Sequence, residues 1–206
     1  LHILINNAGI MALPERKSTA QGLEQQVGVC HVGHFLLTKL LLPSLQAGAK
    51  ESAKPSKIVC LSSLAHISHE MGTLLENPKL ETVPYSEWGA YGNAKCANLL
   101  HAAELNKRYT DKGIIAFSVM PGGINTGLQE HVGLWTKIKW AVVTPFFFKS
   151  TSQGAATTLL CATTADPADG GKYFENCQVT NAVEIVKQDE GKDVEVRLLD
   201  VTGKLL

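Results

Sequence analysis

The sequence contains no apolar run as long as the ~18 residues of a membrane-spanning helix; its best, Phe35 to Leu42, is broken by Lys39. Charge of neither sign is in excess, with 19 Lys plus Arg against 19 Asp plus Glu. Binding driven by phosphate contacts normally shows a basic surplus, so the balance argues against a nucleic-acid partner. The five cysteines form no C-x-x-C pair and are odd in number, which points to a reduced, cytoplasmic compartment rather than a disulfide-stapled secreted domain. Leu1-His2-Ile3-Leu4-Ile5 has no initiator Met, basic n-region or cleavage site, so no targeting signal is read there. Among 18 glycines, no two are separated by a single residue. A G-x-G turn of the kind that cradles a dinucleotide pyrophosphate is therefore missing from these residues.

What remains is ordinary globular composition: 206 residues, 45% hydrophobic and 18% charged. Such a chain can bury roughly 70% of its extended surface on folding, and one domain over residues 1–206 is expected. Leu1 to Ile5, closed by Asn6-Asn7-Ala8-Gly9, reads as a strand buried on both faces that runs into a turn. Leu23, Val27, Cys30, His34, Leu37 and Leu41 recur at helical spacing, and Pro43 is expected to kink or end that helix. Lys57–Leu61 and Ile114–Met120 read as strands, separated by an irregular stretch and a helix from Tyr85 to Lys112 with Gly113 as its stop. A helix over Ser152–Thr163, a short strand near Gly170–Phe174 and a polar tail complete the chain. Alternating strands and helices predict an α/β fold, a parallel sheet of about four strands with helices on both faces.

Tyr91 and Lys95 stand at i and i+4 of the predicted helix, on one face. A phenol has a pKa near 10 and is a poor base at neutral pH; a nearby cation stabilises its phenolate. Such a pair suits the proton exchange of alcohol–carbonyl interconversion, although the same spacing is common among plain surface pairs. Ser62-Ser63 and Pro121-Gly122-Gly123-Ile124-Asn125-Thr126 each follow a predicted strand, at the carboxyl edge where open α/β sheets bind ligands.

In these residues the chain resembles the short-chain dehydrogenase/reductase family over nearly its whole length. Asn6-Asn7-Ala8-Gly9 matches the family's N-N-A-G. Ser63, Tyr91 and Lys95 match its catalytic serine, tyrosine and lysine, and Pro121-Gly122 with Thr126 matches P-G-x-x-x-T. Gly33-His34-Phe35-Leu36-Leu37-Thr38, Ser63-Leu64-Ala65-His66 and Gln153-Gly154-Ala155-Ala156 are similar to the retinol-dehydrogenase-like branch. The resemblance implies a Rossmann-like sheet whose N-terminal strands are absent from this chain, with NADP as cofactor (NAD as an option). It also implies a lipophilic alcohol or carbonyl substrate and possible homo-oligomers through the two long helices. Tyr91 would exchange the proton, Ser63 hold the substrate oxygen, and Lys95 lower the Tyr91 pKa while bonding the nicotinamide ribose. Asn7, Ile124 and Thr126 would be further cofactor contacts.

Two departures stand out. Cys30 occupies the place of the family's catalytic asparagine, which helps hold a water linking the lysine to solvent, and a thiol is a weak substitute. The glycine-rich turn is not in these residues, so the chain reads as a fragment or a truncated relative, and a catalytically inactive pairing partner is the rival reading. The His31/His34 and His66/His69/Glu70 spacings also occur in zinc sites, but no companion ligand lies at a second suitable distance, and no metal is expected. Trp135, Trp140 and Phe146-Phe147-Phe148 lie where relatives carry an apolar lid; a surface patch and ordinary core packing are equally open readings.

Overall fold

The structure is a computed structural model, which describes residues 1–68, 71–77, 79–81, 84–124, 149–180 and 194–204. Five strands form one sheet in sequence order: β1 Ile3–Asn6, β2 Ser56–Leu61, β3 Ile114–Met120, β4 Tyr173–Glu175 and β5 Gln178–Thr180. The first four are parallel, and β5 returns antiparallel to β4. The helices are α1 Gln25–Ser52, α2 Met71–Glu76, α3 Glu87–Tyr109, α4 Thr151–Thr163 and α5 Val194–Lys204.

The near-continuous apolar character of β2 and β3 follows from cover on both faces. Ile58, Cys60, Ile114 and Ala116 meet Leu45 of α1 with Ala102 and Leu105 of α3. Their alternates Val59, Ile115, Phe117 and Val119 meet Cys161 and Ala162 of α4. Lys57 Nζ donates to the carbonyls of Thr163 and Ala165, at 2.9 and 3.0 Å, and so fastens the end of α4 to β2.

β1 departs from the reading of a strand buried on both faces. Leu4 and Asn6 point into the core, whereas Ile3 and Ile5 are 42% and 38% exposed. The register pairs Ile3 with Lys57 and Ile5 with Val59, placing both isoleucines on the α4 side. Among the described residues α4 is the helix of that face, and it leaves this edge uncovered. An apolar run in sequence specifies a strand but not how many of its faces are covered.

The helix from Leu23 onward also differs from expectation. It continues through Pro43 to Ser52 and ends at Ala53, in the left-handed region at φ 52°. Pro43 faces solvent while Leu45, Gly48 and Ala49 are buried beneath it, so packing outweighs one lost backbone bond. By length and composition Gln25–Ser52 would pass as a membrane span, with a mean hydropathy of 1.3, because a helical average tolerates Lys39. It is nevertheless packed against the sheet along one side, leaving Leu36, Leu37 and Leu40 exposed. The stretch that reads as irregular holds a 3-10 turn, Leu64–Ser68, and α2. The fifth strand has no sequence signal: its turn is Asn176-Cys177, at φ 52° and 61°, without the Asn-Gly pair that marks a hairpin. Part of the polar tail is α5.

Three buried histidines lie between α1 and α3. His31 Nδ1 is 3.1 Å from Asn98 Oδ1, and Nε2 is 3.2 Å from Thr202 Oγ1 of α5. The Asn98 amide nitrogen is already donating to two carbonyls, so its oxygen must accept, and the His31 proton sits on Nδ1. Burial pushes His31 and His34 down from 6.5 to about 4 and holds His101 well below its ordinary value as well. Their unfolded forms bind protons first as pH falls, so stability is full above about 6.5 and is lost toward 4. For His31 and His34 this amounts to at most about 3.5 kcal/mol each, at ~1.4 kcal/mol per pKa unit. Buried Glu24, raised by desolvation, acts oppositely as it gains its proton, but it is one group against three. The urea midpoint should therefore drop between pH 7 and 4.5; a midpoint constant over that range would refute the assignment.

Candidate active site

The carboxyl ends of β2 and β3 open onto an apolar cavity of about 480 Å³, within the range of small-molecule sites. Ser63, Tyr91, Trp88, Met11, Met120 and Ile124 are among its lining residues. Ser63 lies two residues past the end of β2. Tyr91 enters from the second turn of α3, which starts where Ser86 Oγ accepts from Gly89 N at 3.1 Å.

The three residues read as catalytic are brought together. Ser63 and Tyr91 line the same cavity, where the Ser63 side chain acts to favour the phenolate, and Lys95 Nζ lies 5.5 Å from the centroid of the Tyr91 ring. Lys95 is 5% exposed and donates to the Leu61 carbonyl at 3.1 Å. Burial raises the Tyr91 phenol well above its ordinary value of 10; Cys30 raises it too, and the Ser63 side chain opposes both. Burial lowers Lys95, while the Cys30 and Cys60 thiols act to raise it. The expected net lowering of Tyr91 is thus reversed here, because desolvation of the phenol outweighs the influences that favour its charged form.

The other sequence candidates fare differently. Ile124 lines the cavity and pairs with Lys149 in an isolated parallel bridge. Gly154 of α4 packs so closely on it that a Cβ there would fall 2.0 Å from Ile124 Cδ1. Asn7 is exposed just past β1, its N–H donating to Ile5 O at 3.1 Å, and is not among the residues lining the cavity. Thr126 and the aromatics Trp135, Trp140 and Phe146–Phe148 lie outside the described residues, as do His69 and Glu70. Cys30 is fully buried, its thiol raised by desolvation. Its Sγ accepts from Ile10 N at 3.4 Å and lies 3.3 Å from Ile10 O, to which it donates. It is a structural thiol, not an exposed nucleophile.

Three supporting residues are not evident from the sequence. Ser62 Oγ donates to Lys95 O at 2.7 Å. His66 Nδ1 sits 2.7 Å from Ser63 O, which fixes its proton on that nitrogen and holds the backbone of the serine. Asn98 donates to Leu61 O, the carbonyl that also receives Lys95. The available signal for Asn98 is polarity inside a helix and for Ser62 its place just past a strand; His66 shows in a zinc-like spacing and in the Ser63-Leu64-Ala65-His66 segment.

The crevice fits the nicotinamide–ribose end of a dinucleotide. Gly9 leaves open the space beside the ammonium, since a Cβ there would come 3.7 Å from Lys95 Nζ and 3.4 Å from Cys30 Sγ. Gly122, at φ 97°, lets the lip after β3 turn beside the cavity. For the pyrophosphate end the sequence offers no glycine-rich turn.

A serine, a tyrosine and a lysine thus converge at the carboxyl edge of a parallel α/β sheet, the edge where open sheets of this kind bind their ligands. No protein-family model matches the chain, but individual relatives do. The short-chain dehydrogenase/reductase prx1 of Penicillium rubens is 41% identical over 217 residues, covering 100% of this chain and 62% of that protein. Retinol dehydrogenase 12 of Mus musculus is 42% identical over 207 residues, covering 100% of this chain and 61% of that protein. The NADPH-bound carbonyl reductase from chicken fatty liver superposes with a TM-score of 0.59 at 19% identity, covering 87% of this chain and 65% of that one, a likeness of fold. The chain thus belongs to the short-chain dehydrogenase/reductase family, and spans about three fifths of the length of these curated relatives.

Next to Tyr91, Gly92 sits against the turn that follows Ser63: a Cβ there would lie 2.6 Å from Ala65 O and 3.0 Å from Ser68 O. Both are backbone atoms and cannot swing aside. Gly92→Ala should destabilise the protein by about 1–3 kcal/mol through overpacking. An unchanged urea midpoint would mean that the turn is not held where it is described.

Proposed function

We propose that the protein is an oxidoreductase that interconverts an alcohol and a carbonyl on a lipophilic small molecule, with a nicotinamide dinucleotide as hydride carrier. The observation that carries this reading is the grouping of Ser63, Tyr91 and Lys95 beside an apolar cavity at the carboxyl edge of the sheet. The apolar lining from Met11, Trp88, Met120 and Ile124 suits a hydrocarbon-rich substrate, since each buried methylene contributes about 0.8 kcal/mol. NADP is the favoured form and NAD the alternative. Thr126 and Asn7 are retained as proposed cofactor contacts alongside Ile124, Tyr91 and Lys95.

When bound, the cofactor supplies the hydride. The chain's own residues do the rest. Ser63 Oγ–H donates to the substrate carbonyl oxygen and orients it beside Tyr91. As negative charge develops there, the Tyr91 hydroxyl transfers its proton and Lys95 stabilises the phenolate left behind. A phenol held above its ordinary value keeps its proton at neutral pH, which favours reduction. The reverse direction needs the phenolate.

A non-catalytic pairing role is the rival, favoured by the thiol at Cys30. Pairing of two copies would draw on Leu36, Leu37 and Leu40 of α1, because α3 is buried from Ala90 to Ala102 within the single chain.

In the full-length protein, Tyr91→Phe should lower carbonyl reduction by at least ~10²-fold; an unchanged rate would end the enzymatic reading. Alcohol oxidation should rise about tenfold per pH unit from pH 7 to 10, because the phenolate fraction grows in that proportion below its pKa. A plateau near neutrality would show instead that Tyr91 titrates low in the working enzyme.

A further inference from the structure

We propose that His66 is a positioning residue, whose ring closes the turn after β2 so that Ala65 N–H binds Ser63 Oγ and leaves the serine proton for the substrate. This rests on the oxidoreductase reading given above.

The stretch Leu64–Ser68 is a 3-10 helix, in which residues three apart eclipse one another. Ser63 opens it, since its carbonyl accepts from His66 N at 3.0 Å. His66 therefore stands over Ser63 on the buried side, while Leu64 and Ile67, 53% and 57% exposed, line the cavity. The imidazole adds a second bond to the same carbonyl, Nδ1 donating to Ser63 O at 2.7 Å. A carbonyl oxygen has two lone pairs, and both are taken here by one residue. The ring is 2% exposed, and its Nε2 makes no hydrogen bond among the described residues. It packs edge to face on Tyr173 of β4, with ring centroids 5.2 Å apart. The Tyr173 hydroxyl is likewise without a hydrogen bond among the described residues, so Tyr173 backs the imidazole through its ring. Ser63 O is then the group that sets the tautomer of His66.

The consequence falls on the serine hydroxyl. Its oxygen has one proton and two lone pairs. Ala65 N donates to Ser63 Oγ at 3.3 Å, a long bond that lasts only while the turn is closed. With that lone pair occupied, the proton is directed away from the turn, toward the cavity that Ser63 lines. The residue before it is fixed from below: Ser62 N donates to Val119 O at 2.8 Å, and Ser62 Oγ to Lys95 O at 2.7 Å. The serine thus lies between a pinned strand end and a turn held by one 3-10 bond, poor in geometry, and by the imidazole. His66 is not among the residues lining the cavity. It acts on the site through Ser63 and makes no contact with the substrate.

The test compares His66→Asn with His66→Gln in the full-length protein. Asparagine carries its amide nitrogen as many bonds from the backbone as Nδ1, whereas glutamine carries its own at the distance of Nε2. His66→Asn should therefore keep the bond to Ser63 O, and its kcat for carbonyl reduction should stay near that of wild type. In His66→Gln kcat should fall roughly 10²-fold, the scale of a misplacement of about 1 Å, with the substrate KM little changed. Equal losses in the two variants, or a glutamine variant as active as wild type, would overturn the proposal. Hydrogen exchange at the Ala65 amide, followed by NMR, requires no turnover. It should be about tenfold or more faster in His66→Gln and unchanged in His66→Asn; unchanged exchange in both would overturn the proposal. Tyr173→Phe keeps the ring contact and should leave kcat as in wild type, and a large loss there would trace the effect to the hydroxyl instead. Should His66→Gln fail to fold, nitrogen NMR of the wild-type histidines decides: a proton on Nδ1 supports the assignment and a proton on Nε2 overturns it. A wild-type protein that reduces no carbonyl would sink the functional reading, and exchange at Ala65 would still decide the role of His66.

Discussion

Burial of α3 is the constraint on which the rest of the structure depends. Fifteen of its 23 residues are buried, among them Asn93, Lys95, Asn98, His101 and Glu104. A polar group taken from water without a partner costs several times what a satisfied bond contributes. Each of these side chains therefore dictates what its neighbours must be. Lys95 and Asn98 converge on Leu61 O, and Ser62 Oγ is drawn to Lys95 O. The serine that follows inherits its place from those bonds. The position of Ser63 thus follows from how a buried amphipathic helix meets its hydrogen-bond needs at the end of β2.

The sheet supplies the complementary constraint. Parallel strands place all their carboxyl ends on one edge, and the connections leaving that edge carry Met11, Ser63 and the Pro121–Ile124 lip to a common crevice. The lip is pinned from two sides. Lys149 N donates to Gly123 O at 2.8 Å, and Lys149 Nζ reaches Pro121 O at 3.3 Å and Asn176 Oδ1 at 2.6 Å. The hairpin between β4 and β5, remote in sequence, is in this way tied to the rim of the cavity. Rigid anchoring of this kind is what a site needs if reacting groups are to stay within a few tenths of an ångström of their working positions.

Much of this is legible in the sequence wherever one residue type has one physical meaning. β2 and β3 show as apolar runs because both their faces are covered; Gly113 stops the helical segment after α3 because its φ is 78°. The helical spacing of Tyr91 and Lys95 is by itself enough to put them on a common face. Legibility fails where meaning depends on what lies across a gap. Ile3 and Ile5 read as core residues, yet among the described residues cover on their face stops short of them. Pro43 reads as a terminus, although packing of Leu45, Gly48 and Ala49 beneath it carries the helix on. The Asn176-Cys177 turn adopts left-handed backbone without the glycine that would announce it.

Cys30 shows the limit most clearly. In sequence it reads as a loss, since a thiol stands where an amide is expected and can do little to hold a water. In the structure the position has two separate jobs. The side chain secures the loop after β1, because the thiol both donates to and accepts from Ile10. The carbonyl faces α3 and is met by Asn98, sixty-eight residues further along. Identity at position 30 governs only the first job. The second depends on the π-turn that α1 makes over Gly28–Val32 and on an asparagine whose burial no local pattern reveals. A substitution at a site residue therefore changes less of the site than its sequence position implies when the backbone, rather than the side chain, holds the network together.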